Sequence, residues 1–140
     1  MKDRFRFRVW NIKEKEMIYN AEIAYDGMNY NTKWQLGKNQ NDGWVDCFGY
    51  YLDYPDEYEV MQCTGLKDKN GKLIYEGDIV KEHYYNTKET TIKKVFFDKN
   101  VIGFAYTDGI EYNQLSITDE HRLQVIGNIY QNKELLNENT

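Results

Sequence analysis

The chain has 140 residues, 41% hydrophobic and 29% charged, with a formal net charge of -5. That length fits one domain able to bury a core without disulfides or metals. The balance excludes a disordered tail, and no apolar run approaches the ~20 residues that a membrane-spanning helix needs.

The N-terminal stretch MKDRFRFRVW alternates Phe5, Phe7 and Val9 with Lys2, Arg4, Arg6 and Arg8. A period of two predicts a strand with one apolar and one charged face. Charge interrupts the apolar run that a secretory leader requires, so a cytoplasmic protein is expected. The polar NIKEKE then reads as a turn and EMIYNAEIAY as a second strand, giving an N-terminal hairpin. Residues 26–43 open and close on Asp-Gly and hold asparagines at 29, 31, 39 and 41, which predicts a long loop.

From Trp44 the sequence becomes WVDCFGYYLDYPDEYEVMQCTGL, with a strand expected on each side of Pro55. Further strands are read in IVKEHYY, TIKKVFFD, VIGFAYTD and HRLQVIGNIYQ, joined by short polar turns. This spacing is that of an antiparallel barrel or sandwich. Helical turns are expected only near residues 112–120 and 132–137.

The stretch TGLKDKNGKLIYEGDIVK, residues 64–81, superficially resembles a phosphate-binding loop. The gap before Gly71-Lys72 is five residues instead of four, Leu73 replaces the hydroxyl residue, and LIYEGDIVK has no helical period. Asn70-Gly71 instead predicts a type I′ hairpin turn, whose two central residues both take positive φ. A calcium loop fails at Lys72 and Leu73. His83 and His121 are isolated, each in an apparent strand, and Cys47 and Cys63 show no metal-ligand spacing. The acidic group Asp53, Asp56, Glu57 and Glu59 reads as a solvated loop, and Ser116, the only serine, lies in no nucleophile elbow. No enzyme, metal or cofactor is expected.

Two groups are candidates for partner contact. Arg4, Arg6 and Arg8, with Lys2, would project from one strand face about 7 Å apart, with Trp10 at the end of the row and Lys93 and Lys94 as an extension. Such a ladder suits phosphates or an acidic partner; alternatively the arginines pair with Glu14, Glu16 and Glu22 or lie over tyrosines. The second group is Tyr50, Tyr51 and Tyr54 in FGYYLDYPDEY, as partner surface or as core packing. Charge alternates along the chain, with six basic and three acidic groups in residues 1–18 against two basic and eight acidic in 19–63. Segments of opposite charge fit contacts between protomers.

Three segments, FRFRVWN with EMIY, TGLKDKNGKLIYEGDIVK and VIGNIYQNKELL, together resemble the YopX family of small phage and mobile-element proteins. Asn11 stands where an aspartate is usual, and Lys133 where a proline is frequent. The resemblance implies a mainly β fold ending in a small barrel; together with the strand pattern and the length, this predicts a single domain with an N-terminal hairpin and long loop (1–60), a small SH3-like barrel (61–131) and a short tail (132–140). It implies no activity. The expected function is a non-enzymatic binding or assembly module, a homo-oligomer or the partner of another protein. A nucleic-acid-binding accessory protein using the basic strand is the alternative, and no membrane association is expected.

Overall fold

The computed structural model describes residues 2–21 and 47–139; the expected loop at 26–43 lies outside them. The chain forms two compact units, Phe5–Gln62 and Cys63–Thr140 together with Met1–Arg4. Among the described residues no helix is long and apolar enough to cross a membrane.

In the Phe5–Gln62 unit, strand β1 (Phe7–Asn11) pairs antiparallel with β2 (Glu16–Ile18) on one side. On its other side it pairs with the first half of β3 (Tyr58–Lys67). The hairpin predicted for the N-terminus is present. Its turn is held by Asn11, whose Oδ1 accepts the Glu14 amide at 3.0 Å, and by Lys15 at φ 56°. The strand starts later than its alternation predicts, because Lys2–Phe5 form a 3-10 turn.

Helix α1 (Cys47–Asp53) replaces the strand expected before Pro55. A seven-residue segment is too short to display a helical period, and its tyrosines favour strands by propensity. Packing overrides that preference. Tyr51 is buried with Val9, Ala21 and Tyr58, and Phe48, one turn before it, packs against this core. The Phe48 ring meets Phe7 at 4.9 Å. Pro55 disfavours helical geometry at Tyr54, so the helix stops at Asp53. The Tyr54 carbonyl then accepts the amides of Glu57 and Tyr58, both at 3.0 Å, turning the chain into β3, the strand expected after the proline.

In the second unit, the latter half of β3 pairs with β4 (Leu73–Tyr75) through the expected turn. The turn type differs from the prediction: Gly71 has φ +85°, whereas Asn70 is not left-handed. The Gly71 amide donates to the Asp68 carbonyl at 3.0 Å and the Asp68 amide to the Lys72 carbonyl at 2.7 Å, a three-residue loop closed by a left-handed glycine. Asp68 explains the change. Its Oδ1 accepts the amides of Asn70 and Lys72, each at 2.9 Å, while Oδ2 accepts the Val125 amide at 2.8 Å. One buried carboxylate therefore shapes the turn and ties it to the final strand.

The remaining strands are β5 (Asp78–His83), β6 (Thr90–Asp98), β7 (Gly103–Thr107), β8 (Tyr112–Gln114) and β9 (Leu123–Asn128). They form one antiparallel sheet in the order β8-β7-β6-β5-β9, curled as a half-barrel with β8 and β9 as its edges. The chain is thus mainly β with short helical turns, as the sequence predicts. Ile74, Val80, Val95, Tyr106 and Leu123 make the core on one face. On the other, Ile79, Ile92 and Ala105 are buried, and the C-terminal 3-10 turn Lys133–Asn139 packs on β6. A second 3-10 turn, Ile117–His121, follows β8, so His121 is not in a strand; His83 is, and its Nε2 meets Gln124 at 3.3 Å.

Candidate functional site

The expected arginine ladder does not form along one strand face. Arg4 lies exposed in the 3-10 turn, Arg6 is exposed just before β1, and Arg8 is buried within it. A 7 Å spacing on one face requires continuous strand, which begins only at Phe7. Trp10 is also buried, in a strand flanked on both sides by neighbours, so it offers no open face on which a base could stack. Of the tyrosines, Tyr51 belongs to the core, Tyr50 is half-buried and Tyr54 is exposed. They do gather: Tyr50 lies 4.5 Å from Tyr54, 6.4 Å from Tyr51 and 5.7 Å from Tyr58 between ring centroids.

Lys93 departs furthest from its expected place. Only 1% of it is exposed, whereas Lys94 points outward from the opposite face of β6. Lys93 shares the core-facing phase of its strand with Val95, as Glu82 shares that of β5 with Val80. Antiparallel pairing sets Val80 beside Lys93 and Glu82 beside Thr91, so the lysine and the glutamate meet diagonally. Lys93 Nζ donates to Glu82 Oε1 and to Asn113 Oδ1, both at 2.9 Å, and to Glu111 Oε2 at 3.3 Å. It also lies 5.3 Å from the centre of the Tyr106 ring.

The network continues through that ring. The Tyr106 hydroxyl lies 2.9 Å from Glu82 Oε2 and 3.1 Å from Asp119 Oδ1. Arg122, partly exposed, donates to the same Asp119 oxygen and to the Tyr106 hydroxyl, the latter at 3.3 Å. Asp119 Oδ2 accepts the Ser116 amide at 2.8 Å, fixing the 3-10 turn over the sheet. Burial opposes the charge on Lys93, but the hydrogen bond and charge of Glu82 outweigh it and hold the ammonium above its ordinary pKa. Burial, reinforced by Glu82 and Asp119, pushes the Tyr106 phenol well above its usual range. The Asp119 hydrogen bond raises Arg122 in spite of partial burial.

Chemically, this cluster has the residue types of an acid–base site but the arrangement of a structural one. Glu82, Lys93, Tyr106 and Asp119 are almost fully buried, and each charge is matched by a partner inside the cluster. None of these roles was evident from local motifs, since the five residues come from three strands and a turn. The available signal was one of phase: opposite charges at the core-facing positions of two strands joined by a hairpin. Among the described residues, no group of three His, Cys, Asp or Glu side chains is gathered as metal ligands. Gly71-Lys72 sits in a strand-to-strand turn, without the helix that a phosphate loop leads into.

The sequence matches the family model described as YopX protein over residues 6–137. The chain belongs to the YopX family. Solved structures that share the fold include two bacterial proteins. Protein EF1440 from Enterococcus faecalis is 24% identical, with a TM-score of 0.55, over 94% of this chain and 96% of its own. Protein YopX from Bacillus subtilis is 19% identical, with a TM-score of 0.56, over 94% and 98% respectively. No functionally curated protein matches the chain. The residues that carried the resemblance have structural duties here. Asp68 shapes the central turn, the Asp78 carboxylate accepts the Tyr75 amide at 2.8 Å, and Asn128 Oδ1 accepts the amides of Tyr130 and Gln131 at 3.0 and 2.9 Å.

Proposed function

We propose that this YopX-family chain is a non-enzymatic binding or assembly module of a cytoplasmic, phage- or mobile-element-borne system, which works as a homo-oligomer and meets a partner protein. One observation carries the reading. Strands β5 to β8 alternate in direction, so the β5–β6 and β7–β8 turns lie at the same end of the sheet, and that end displays Tyr85, Ile110 and Tyr112. Ile110, at the tip of the β7–β8 turn, is 87% exposed. Large apolar and tyrosine side chains placed together at a sheet end, beside β8, an edge strand among the described residues, are the composition that interface cores favour. The internal pairing of the Glu82–Lys93–Tyr106–Asp119–Arg122 cluster supports a stabilising use for the chain's most reactive-looking residues.

The test is light scattering coupled to size exclusion at micromolar concentration. The chain is expected to run as a multimer, and Ile110→Asp with Tyr112→Ser is expected to shift it toward monomer while leaving its circular dichroism unchanged. A monomeric unmodified chain would overturn the assembly reading.

A further inference from the structure

Within the Phe5–Gln62 unit, a cleft of about 140 Å³ is lined by Asn11, Lys13, Glu14, Tyr50, Glu57 and Tyr58. Two short turns build it. On one side, the Lys15 amide donates to the Asn11 carbonyl at 2.8 Å and the Glu14 amide to Asn11 Oδ1, which fixes the β1–β2 turn. On the other, the turn after Pro55 hands Glu57 and Tyr58 to the start of β3. The Ile12 amide donates to the Glu57 carbonyl at 3.0 Å and so locks the two turns together. Asn11, paired with Glu16 on one side and Tyr58 on the other, lies between them.

The aromatic part of the wall is a corner. The rings of Tyr50 and Tyr58 meet at 67° with centroids 5.7 Å apart, and the Tyr54 ring backs Tyr50 at 4.5 Å. Glu14 and Glu57 stand exposed beside it, opposed among the described lining residues by Lys13. The volume equals that of four or five waters at ~30 Å³ each, well below the ~300 Å³ at which drug-sized ligand pockets begin. It suits one small group at the end of a side chain. The half-buried Tyr50 ring, whose face carries negative potential, stands next to a net negative rim and selects a cation, and a planar guanidinium can also stack on a tyrosine face.

We propose that this cleft receives the guanidinium or ammonium group of a single arginine or lysine in a basic segment of a partner polypeptide. The proposal deepens the binding-module reading and rests on it. The group rests against the half-buried Tyr50 at the mouth of the cleft and pairs with Glu14 and Glu57. Lys13 acts against it by repelling the incoming charge.

The experiment is a 1H–15N NMR titration of the full chain with the acetylated, amidated peptide Gly-Gly-Arg-Gly-Gly, and with the same peptide carrying Gln for Arg. The Arg peptide is expected to bind in the millimolar range, to shift the amides of Asn11, Glu14, Glu57 and Tyr58, and to weaken as salt rises. Glu14→Gln with Glu57→Gln should weaken it about threefold to tenfold, and Lys13→Gln should tighten it about twofold. Both changes lie on exposed side chains, and circular dichroism checks that the fold is retained. Equal binding of the Gln peptide, shifts centred elsewhere, or no shift at 20 mM peptide, taken as roughly ten times the expected dissociation constant, would overturn the proposal. The oligomeric state is read independently by light scattering, so a failure here is distinguishable from a failure of the assembly reading.

Discussion

Replacing Lys93 by Met tests whether the buried cluster is a structural bond. The substitution keeps the length of the stem and removes the cation that, among the described residues, lies within hydrogen-bond distance of Glu82 Oε1. Glu82 is 3% exposed, so its carboxylate would remain in the core with the Tyr106 hydroxyl at 2.9 Å, Thr91 Oγ1 at 3.5 Å and, as its remaining cation, the partly exposed Arg122 guanidinium 3.9 Å from Oε2. Breaking a buried pair in this way costs about 3–5 kcal/mol, a large share of the 5–15 kcal/mol typical of a folded domain. Urea unfolding, with amide exchange in β5 and β6 as the local readout, should show that loss. The double variant Lys93→Met with Glu82→Met should lose less than Lys93→Met alone, because no unpaired charge is left behind. The alkaline limb adds a second signature. A folded-state Lys93 pKa above the unfolded value gives stability that is complete below about pH 10.4 and disappears as pH rises through the folded value. Tyr106 acts in the same sense, since above about pH 10 the unfolded phenol ionises while the folded one is held protonated. Lys93→Met should therefore flatten the loss of stability above pH 10. A cost below 1 kcal/mol with an unchanged alkaline limb would refute this account of the cluster.

Further predictions concern the turns. Asp68→Ala removes the acceptor for the amides of Asn70, Lys72 and Val125, and should cost about 2–4 kcal/mol in denaturant melts, with Val125 exchanging fastest relative to the unmodified chain. Gly71→Ala meets no atom within 4 Å, so its cost should be the left-handed backbone strain alone, about 1 kcal/mol. Gly127→Ala should cost more than Gly71→Ala in the same melts, because its Cβ would lie 2.6 Å from Asn132 Oδ1, which accepts the Asn128 amide. Ile102, 81% exposed with φ 51°, is a β-branched residue in a left-handed position; Ile102→Asn should raise the melting temperature, with a gain of about 0.5–1 kcal/mol.

Much of the β structure was legible because it depends on local signals. The strands read in IVKEHYY, TIKKVFFD, VIGFAYTD and HRLQVIGNIYQ correspond to β5, β6, β7 and β9, and the turn at Gly71 follows from its glycine. What escaped the sequence depends on long-range packing. Alternation in FRFRVW predicts a charged outer face, yet β1 is a central strand with Arg8, Val9 and Trp10 all buried. The tyrosines of Cys47–Asp53 become helical because Tyr51 finds Val9 and Tyr58, a contact with no trace in a seven-residue pattern. Asp68 altered the type of a turn whose existence was evident. Of the tyrosines in FGYYLDYPDEY, Tyr50 lines a cleft and Tyr54 is exposed behind it, while Tyr51 fills the core.

The most direct test of the assembly role is the solution mass of the full chain by light scattering across micromolar concentrations, unmodified and with Ile110→Asp and Tyr112→Ser. A stable multimer that dissociates in the variant is the predicted result. A monomer at every concentration, or a multimer indifferent to those substitutions, would contradict assembly through the exposed end of the sheet.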